Sequence, residues 1–452
     1  MSTTFPSFQR SQAVRRPPLK LASRWLRGEL LKHGQGVFCR ITGIALLANL
    51  ALVPGRFSPA ARTIGRAYAY HFWRPSNAGE WLDIIVAFLL WPLAVVVSML
   101  WLTMQNGGVV AERFDRSRVR QCLDQFKFAL TSGLLPPWYY IFELYRPGET
   151  RRALGFLTHG QTKQGTNRLF AKARGSSSPL GDKEEFARFC AKRQLRALPV
   201  LFSVHDGECR GLNGAAALPR ADVFVKPVHG RGGRGAERWD HASDGAYVNP
   251  RGETLSPEQF VDRLRDLSHV QPCIVQERAR NHWSIRDLSN DALSTVRMIS
   301  CLDEQERPEI IGAVLRMAIG SNVTVDNVHA GGIAAAIDLK EGKLHQATHA
   351  GIDARLGWLD RHPESGAAIT GRVLPMWKEL CDLVERAHSA FADWVVVGWD
   401  VAIMADGPTL VEGNRGPDVD LIQRPLQTAF ADSRLGELIA IHLDRTEAAW
   451  RT

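Results

Sequence analysis

The chain has 452 residues, 45% of them apolar and 23% charged, which is material for two or three domains with their own cores and excludes a disordered protein. Its net charge of +9 is local: residues 1–80 hold 12 Lys or Arg against Glu29 and Glu80, a balance of +10, so the other 372 residues sum to −1 and nucleic acid is not an expected partner. Seven cysteines (39, 122, 190, 209, 273, 301 and 381) form no CxxC pair and make an odd total, which speaks against a disulfide framework or a zinc site and for a reducing compartment.

From Ile84 to Met104 the chain reads IIVAFLLWPLAVVVSMLWLTM, 21 residues without a charge. That run is long enough to cross a bilayer and lies too deep in the chain for a signal peptide; a buried helix of a soluble protein is the alternative. One crossing with a cytosolic C-terminal domain would put the +10 arm outside, against the cytoplasmic preference of Lys and Arg. Two arrangements relieve the conflict, a lone outward-facing N-terminus being the remaining alternative. Ile41 to Val53 can insert partially or as a second pass, or Pro92 can break the long run into a re-entrant hairpin.

Either way Arg56, Arg62, Arg66 and Arg74 would meet anionic headgroups. The expectation is a basic, membrane-associated helical arm over residues 1–130, with an even number of passes or a re-entrant hairpin at the inner (cytoplasmic) membrane. A globular domain over 131–452 would face the cytoplasm. Gln105 to about Leu130 reads as a juxtamembrane helix. Leu134 to Tyr145 (LLPPWYYIFELY) reads either as an interfacial aromatic anchor or as a core-packing loop.

In the C-terminal part, GSSSPLGD (Gly175 to Asp182) is a small-residue loop ending in a helix cap, Lys183 to Lys192 has helical spacing, and Leu198 to Ser203 reads as a strand. DVFVKPVHGRGGRG (Asp222 to Gly235) is a strand carrying Lys226, followed by Gly230, Gly232, Gly233 and Gly235 among Arg231 and Arg234. Glycines let backbone amides approach phosphate oxygens, and the cations complement their charge. No Lys-Ser or Lys-Thr pair makes this a Walker loop; a flexible surface loop would read similarly.

Cys273 to Glu277 (CIVQE) is an apolar strand whose end, Gln276 and Glu277, offers the edge that an adenine and a ribose need. LSTVRMI (Leu293 to Ile299) and AVLRMA (Ala313 to Ala318) place Arg297 and Arg316 inside apolar strands, where a buried cation needs a partner and Arg suits a bidentate grip on phosphoryl or carboxylate groups. DNVHAGGIAAAID (Asp326 to Asp338) holds Asn327, His329 and the Gly331–Gly332 pair, with His329 read as structural sooner than as a base.

A loop from His362 leads into a helix from about Met376 to Phe391. Then VVVGWDVAIMADGPTLVEGNRGPDVDLIQ (Val395 to Gln423) delivers Asp400 on one strand and Glu412 and Asn414 on the next, after a turn at Asp406 to Pro408. Three hard oxygen donors at one hairpin suit Mg²⁺, which takes oxygen ligands together with waters and phosphates; ordinary surface charge is the other reading.

The order of a strand Lys with a Gly-rich loop, a QE strand end, a buried Arg, a DN…GG segment and a D…ExN hairpin resembles the ATP-grasp superfamily. STVRMI, DNVHAGGI, HPESG…LPMW and VGWD…VEGNRGPDVDLIQ resemble more narrowly its sugar-transfer associated family, related to α-L-glutamate ligases, over roughly Asp182 to Gln423. The resemblance implies an α+β fold whose two lobes grip ATP, preceded here by the membrane-associated helical arm. It also implies ATP and Mg²⁺ as cofactors. Lys226, Lys183 and the Gly230–Gly235 loop would hold the phosphates, and Gln276 with Glu277 would take the adenine and ribose. Asp400, Glu412 and Asn414 would hold Mg²⁺, Arg297 would stabilise the acyl phosphate or tetrahedral intermediate, and Arg316 with Asn327 would orient phosphate or acceptor.

The implied enzyme is an ATP-dependent carboxylate-amine ligase. Its partners would be a carboxylate substrate, an amine or other nucleophile, and an anionic membrane surface, in the biosynthesis of a cell-envelope or polysaccharide precursor. An ATP-dependent phosphotransferase acting on a sugar or lipid headgroup, and a non-catalytic nucleotide-binding scaffold, are the rival readings.

Overall fold

A computed structural model describes residues 57–451 except 213–217, 231–232, 321–322, 327 and 329–330, together with residues 37, 40, 41 and 44. The arm opens with α1 (Pro59–Phe72), capped by Ser58, followed by α2 (Ala78–Phe114), α3 (Arg118–Thr131) and the short α4 (Pro136–Ile141). Proline within a helix removes a hydrogen bond and crowds the preceding turn. α2 nevertheless continues through Pro92, which overturns the expectation that this residue breaks the run. Ile84 and Ala87 before it and Val95 after it are buried in the same apolar cluster, so both halves are held along one surface. α2 also takes in the first part of the expected juxtamembrane helix, ending only at Asp115 in the left-handed conformation.

Of the two readings of Leu134 to Tyr145, core packing is the one found: Tyr139, Tyr140, Ile141, Phe142 and Tyr145 are buried, and Phe142 stacks on Phe156 with ring centres 4.0 Å apart. Ile41 and Ile44 are buried; the rest of the Ile41–Val53 segment lies outside the described residues. A 3₁₀ turn (Glu149–Leu154) and a π-helix (Gly160–Thr166) lead into α5 (Asn167–Arg174) and α6 (Lys183–Lys192).

The first lobe is built on seven strands: β1 (Phe202–His205), β2 (Glu208–Gly211), β3 (Val223–Pro227), β4 (Glu237–His241), β5 (Tyr247–Val248), β6 (Thr254–Leu255) and, after α7 (Pro257–Val270), β7 (Cys273–Glu277). Their order is β2-β1-β7-β3-β4-β5-β6. α7 starts on a capping box between Ser256 and Gln259 and buries Phe260 and Leu264 against Trp239 and Tyr247. The strand expected from Leu198 begins only at Phe202. Its first residues pair with the other lobe instead, Leu198 N–H donating to Leu410 O at 2.9 Å.

The second lobe has β8 (Thr295–Leu302), β9 (Pro308–Met317), β10 (Ile333–Ile337), β11 (Leu344–Thr348) and β12 (Trp358–Leu359), then α8 (Trp377–Ala390), β13 (Val396–Met404) and β14 (Gly407–Asn414). The sheet order is β12-β11-β10-β9-β8-β13-β14. Side chains alternate across a strand. Trp399, Val401 and Ile403 therefore enter the core beneath Leu380, Leu383 and Val384 of α8, and Asp400 points to the opposite face. α9 (Val419–Leu426) and α10 (Arg434–Arg451) close the chain, and α1 lies against α10. The buried guanidinium of Arg424 on α9 ties the sheet to the Leu134–Tyr145 segment, donating to Thr348 Oγ1 of β11 at 2.8 Å and to the Ile141 carbonyl at 2.7 Å and pairing with Glu143 at 3.1 Å.

Candidate active site

Register assembles the site. β13 sets Asp400 opposite Glu412 and Gly398 opposite Asn414 on β14, and on its other edge sets Asp400 opposite Arg297 of β8. Three charged side chains thus form one row across three strands. Arg297 holds both oxygens of Asp400, Nε donating to Oδ1 and Nη2 to Oδ2, the latter at 2.9 Å. Arg316 of β9 approaches from the next row, its Nη2 3.1 Å from Asp400 Oδ2 and 3.5 Å from Asp326 Oδ1. Asp326 in turn accepts from the Thr295 backbone at 2.7 Å and its hydroxyl at 2.6 Å.

Burial opposes ionisation of Asp400, yet the charges of Arg297 and then Arg316 outweigh it and hold the carboxyl well below the usual range. Asp326 goes the other way: burial raises its pKa more than Arg316 and Thr295 lower it. Burial also disfavours charge on Arg297, but Asp400 and Glu412 reverse the balance and push its pKa up.

The first lobe faces this row with two lysines. Lys226 on β3 is buried, and burial lowers its pKa to about 8; Lys183 lowers it further while Glu412 and Asp400 oppose the shift. Lys183 is the first residue of α6, positioned by the Asp182 cap; its Nζ lies 3.9 Å from Glu412 Oε2 and donates to Gly230 O at 3.2 Å. Of the loop glycines, Gly230, Gly233 and Gly235 are described; Gly232 lies outside the described residues, as does Asn327. Gly233 has φ +71°, and a Cβ there would stand 2.7 Å from Val325, so the loop touches the segment that carries Asp326.

Glu277 and Gln276 stand at the end of β7. The Gln276 amide donates to Leu198 O at 3.0 Å and so helps to hold the lobes together. A cavity of about 1350 Å³ is lined by both lysines, Gln276, Glu277, the Arg297–Asp400–Glu412 row, Arg316 and Asn414.

The pattern of the sugar-transfer associated ATP-grasp family matches residues 168–434, more than half of the chain and all of this row. The chain belongs to that family. It is thereby an enzyme of the ATP-grasp type. No curated protein sequence matches it. Among solved structures it is similar to a D-alanine–D-alanine ligase from Bacillus anthracis (11% identity, 60% of this chain and 68% of that one, TM-score 0.32). It is also similar to D-alanyl-alanine synthetase A from Vibrio cholerae (10% identity, 62% and 67%, TM-score 0.35) and to N5-carboxyaminoimidazole synthetase from Staphylococcus aureus (8% identity, 53% and 44%, TM-score 0.29). The match spans less than half the length of that synthetase, and likeness so distant carries no information about substrate.

The ATP-grasp hairpin fits a hard cation by its donors. Asn414 Nδ2 donates to Glu412 Oε1 at 3.2 Å, which leaves the Asn414 amide oxygen open. An ionised carboxylate offers about four lone-pair sites, so Asp400 keeps acceptor capacity beyond its arginine contacts. Among the described residues no three His, Cys, Asp or Glu side chains converge, so the donor set is two carboxylates and an amide, which suits Mg²⁺ completed by waters and phosphates.

The ATP-grasp cavity also draws on residues the sequence reading passed over. Lys163 projects from the π-helix, outside the matched region, with its Nζ 3.9 Å from Asp418 Oδ1, and Arg415 lines the same end. Arg415 and Asp418 were legible as part of NRGPD; Lys163 sits in a polar run without periodicity. On the opposite wall Arg278 pairs with Asp240 at 2.9 Å and Asp291 at 2.7 Å.

Proposed function

We propose that the protein is an ATP- and Mg²⁺-dependent ligase that joins a carboxylate to an amine or another nucleophile through an acyl phosphate. The observation that carries this reading is the Arg297–Asp400–Glu412 row opposed by Lys183 and Lys226 across one cavity. In this division of labour residues 131–452 are catalytic and 1–130 hold the enzyme at a membrane, where the acid or acceptor belongs to a cell-envelope or polysaccharide precursor.

Lys226 and Lys183 bind the phosphates of ATP, the glycine loop covers them, and Gln276 and Glu277 take the base and ribose. The substrate carboxylate attacks the γ-phosphorus and ADP leaves. The nucleophile then adds to the acyl carbon, and phosphate departs as the nucleophile loses its proton. Asp400, Glu412 and Asn414 would hold Mg²⁺, which would supply charge neutralisation for the phosphates. Arg297 and Arg316 set two fixed cations beside the transferring group, and Asn327 completes its orientation. Lys163 and Arg415 offer a cationic end for an acidic substrate.

The test is ATP turnover by the full-length chain in detergent, screened against amino acids, amino sugars and uronic acids, with mass spectrometry of products. The ligase reading expects ADP, free phosphate and a condensed product. A phosphorylated product without free phosphate selects the phosphotransferase instead, and nucleotide binding without turnover selects the scaffold.

A further inference from the structure

α3 is inside out. Gln121, Asp124 and Gln125 face the protein and are buried together with Phe128 and Ala129, whereas Val119, Leu123, Phe126 and Leu130, spaced four, three and four residues apart, face outward. α2 repeats the pattern where the two helices meet: Thr103 and Asn106 are buried while Leu100, Trp101 and Met104 are exposed, Met104 by 77%. The inward polar groups bond to one another and to the backbone, with Gln125 Oε1 left buried and unpaired. Gln125 Nε2 donates to Thr103 Oγ1 at 2.8 Å, Gln121 Nε2 to Gly107 O at 3.1 Å, and Tyr140 Oη to Gln121 Oε1 at 3.0 Å. Asn106 accepts from Ala354 N–H at 2.7 Å and donates to Ile352 O at 3.1 Å, fastening α2 to the catalytic domain.

A helix in water buries its apolar stripe and exposes its polar one. The reverse arrangement, with internal hydrogen bonds and an outer apolar coat, is what a hydrocarbon surrounding requires. We propose that α2 and α3 form an in-plane docking surface, immersed in one leaflet of an anionic bilayer, and that α2 does not cross it. This deepens the membrane-held reading above and rests on it for the membrane only; ATP turnover is a separate readout.

Three observations favour lying over crossing. The stripe opposite the exposed one runs from Ile84 and Ala87 through half-buried Trp91 and Ala94 and buried Val95 to Leu102, Asn106 and Val110, so one side of α2 faces the protein and the other is open to lipid. The outward apolar face begins at Trp81 and passes onto α3, which flanks the C-terminal half of α2. From residue 81 to Met104, the last exposed apolar residue of α2, that is about 36 Å at 1.5 Å per residue, and α3 extends the face sideways beyond it. Exposed Arg118, Arg120 and Lys127 flank the α3 stripe, and exposed Arg66 and Arg74 stand at the other end beside Trp73 and Trp81. Cations and indoles beside an apolar stripe suit an interface with anionic headgroups.

The test is flotation of the full-length chain with phosphatidylcholine vesicles, with and without phosphatidylglycerol. Binding should require the anionic lipid, be lost in Leu89→Glu/Leu123→Glu, and weaken about fivefold for each of Arg118→Glu and Lys127→Glu. An unchanged melting temperature in detergent shows that the variants fold. A fluorescent amino acid at Leu82, Leu93 or Met104, which share one side of α2, reports depth through quenching by brominated lipids. Equal shallow depth at all three supports the proposal. A maximum at Leu93 with the other two on opposite leaflets overturns it in favour of a span. Failure to bind vesicles, with a dimer that Leu89→Glu dissolves, overturns it in favour of a second copy of the chain.

Discussion

Asp400 and Glu412 face each other across one hairpin, yet they answer substitution differently. Asp400 is buried between Arg297 and Arg316, so Asp400→Asn leaves Arg297 without its carboxylate, while Arg316 keeps Asp326. Breaking a buried pair in this way costs about 3–5 kcal/mol, and adding Arg297→Met should restore part of the loss in denaturant unfolding. Glu412 is partly open to the cavity; Glu412→Gln should lower Mg²⁺-dependent turnover by at least about 100-fold while the melting temperature holds. Full turnover in that variant would contradict the metal assignment.

Lys226 carries a pH signature. Its pKa is lowered from 10.5 to about 8, so the folded protein releases this proton before the unfolded chain does. The burial penalty is therefore fully present below pH about 8, and stability from this group rises as pH climbs from there toward 10.5. Nucleotide affinity should follow the charge in the opposite sense, weakening as pH passes 8, with the step absent in Lys226→Met.

At the scale of elements, the glycine loop and the π-helix carry separable predictions. Gly233→Ala meets both a positive φ and Val325, so it should raise the KM for ATP and lower the melting temperature as well. Lys163→Ala should raise the KM of the acidic substrate more than that of ATP. The strands carrying Lys226, Arg297, Arg316 and Asp400 were legible because charged residues interrupt short apolar runs bounded by turns. Their alignment was not, since the pairing of Arg297 with Asp400 joins residues over a hundred positions apart and is a property of register. Lys163 was missed for a different reason: a π-turn leaves no periodic trace. Gln276 was found by its place at a strand end, but its bond to Leu198 depends on where the lobes meet.

At the scale of the molecule, composition separated the basic arm from the neutral domain, and a run of 21 uncharged residues marked α2. What that run could not convey is that one side of α2 faces the protein and that α3 turns Gln121, Asp124 and Gln125 inward. Both facts are tertiary, and the proposal that α2 lies in the plane of a membrane rests on them.

The hairpin of β13 and β14 is proposed as the metal end of an ATP site. Equilibrium binding of a non-hydrolysable ATP analogue, with and without Mg²⁺, tests it most directly. Wild type should bind more tightly with Mg²⁺, and Glu412→Gln and Asn414→Ala should lose that gain while keeping the Mg²⁺-free affinity. A Mg²⁺ gain undiminished in both variants would contradict the claim.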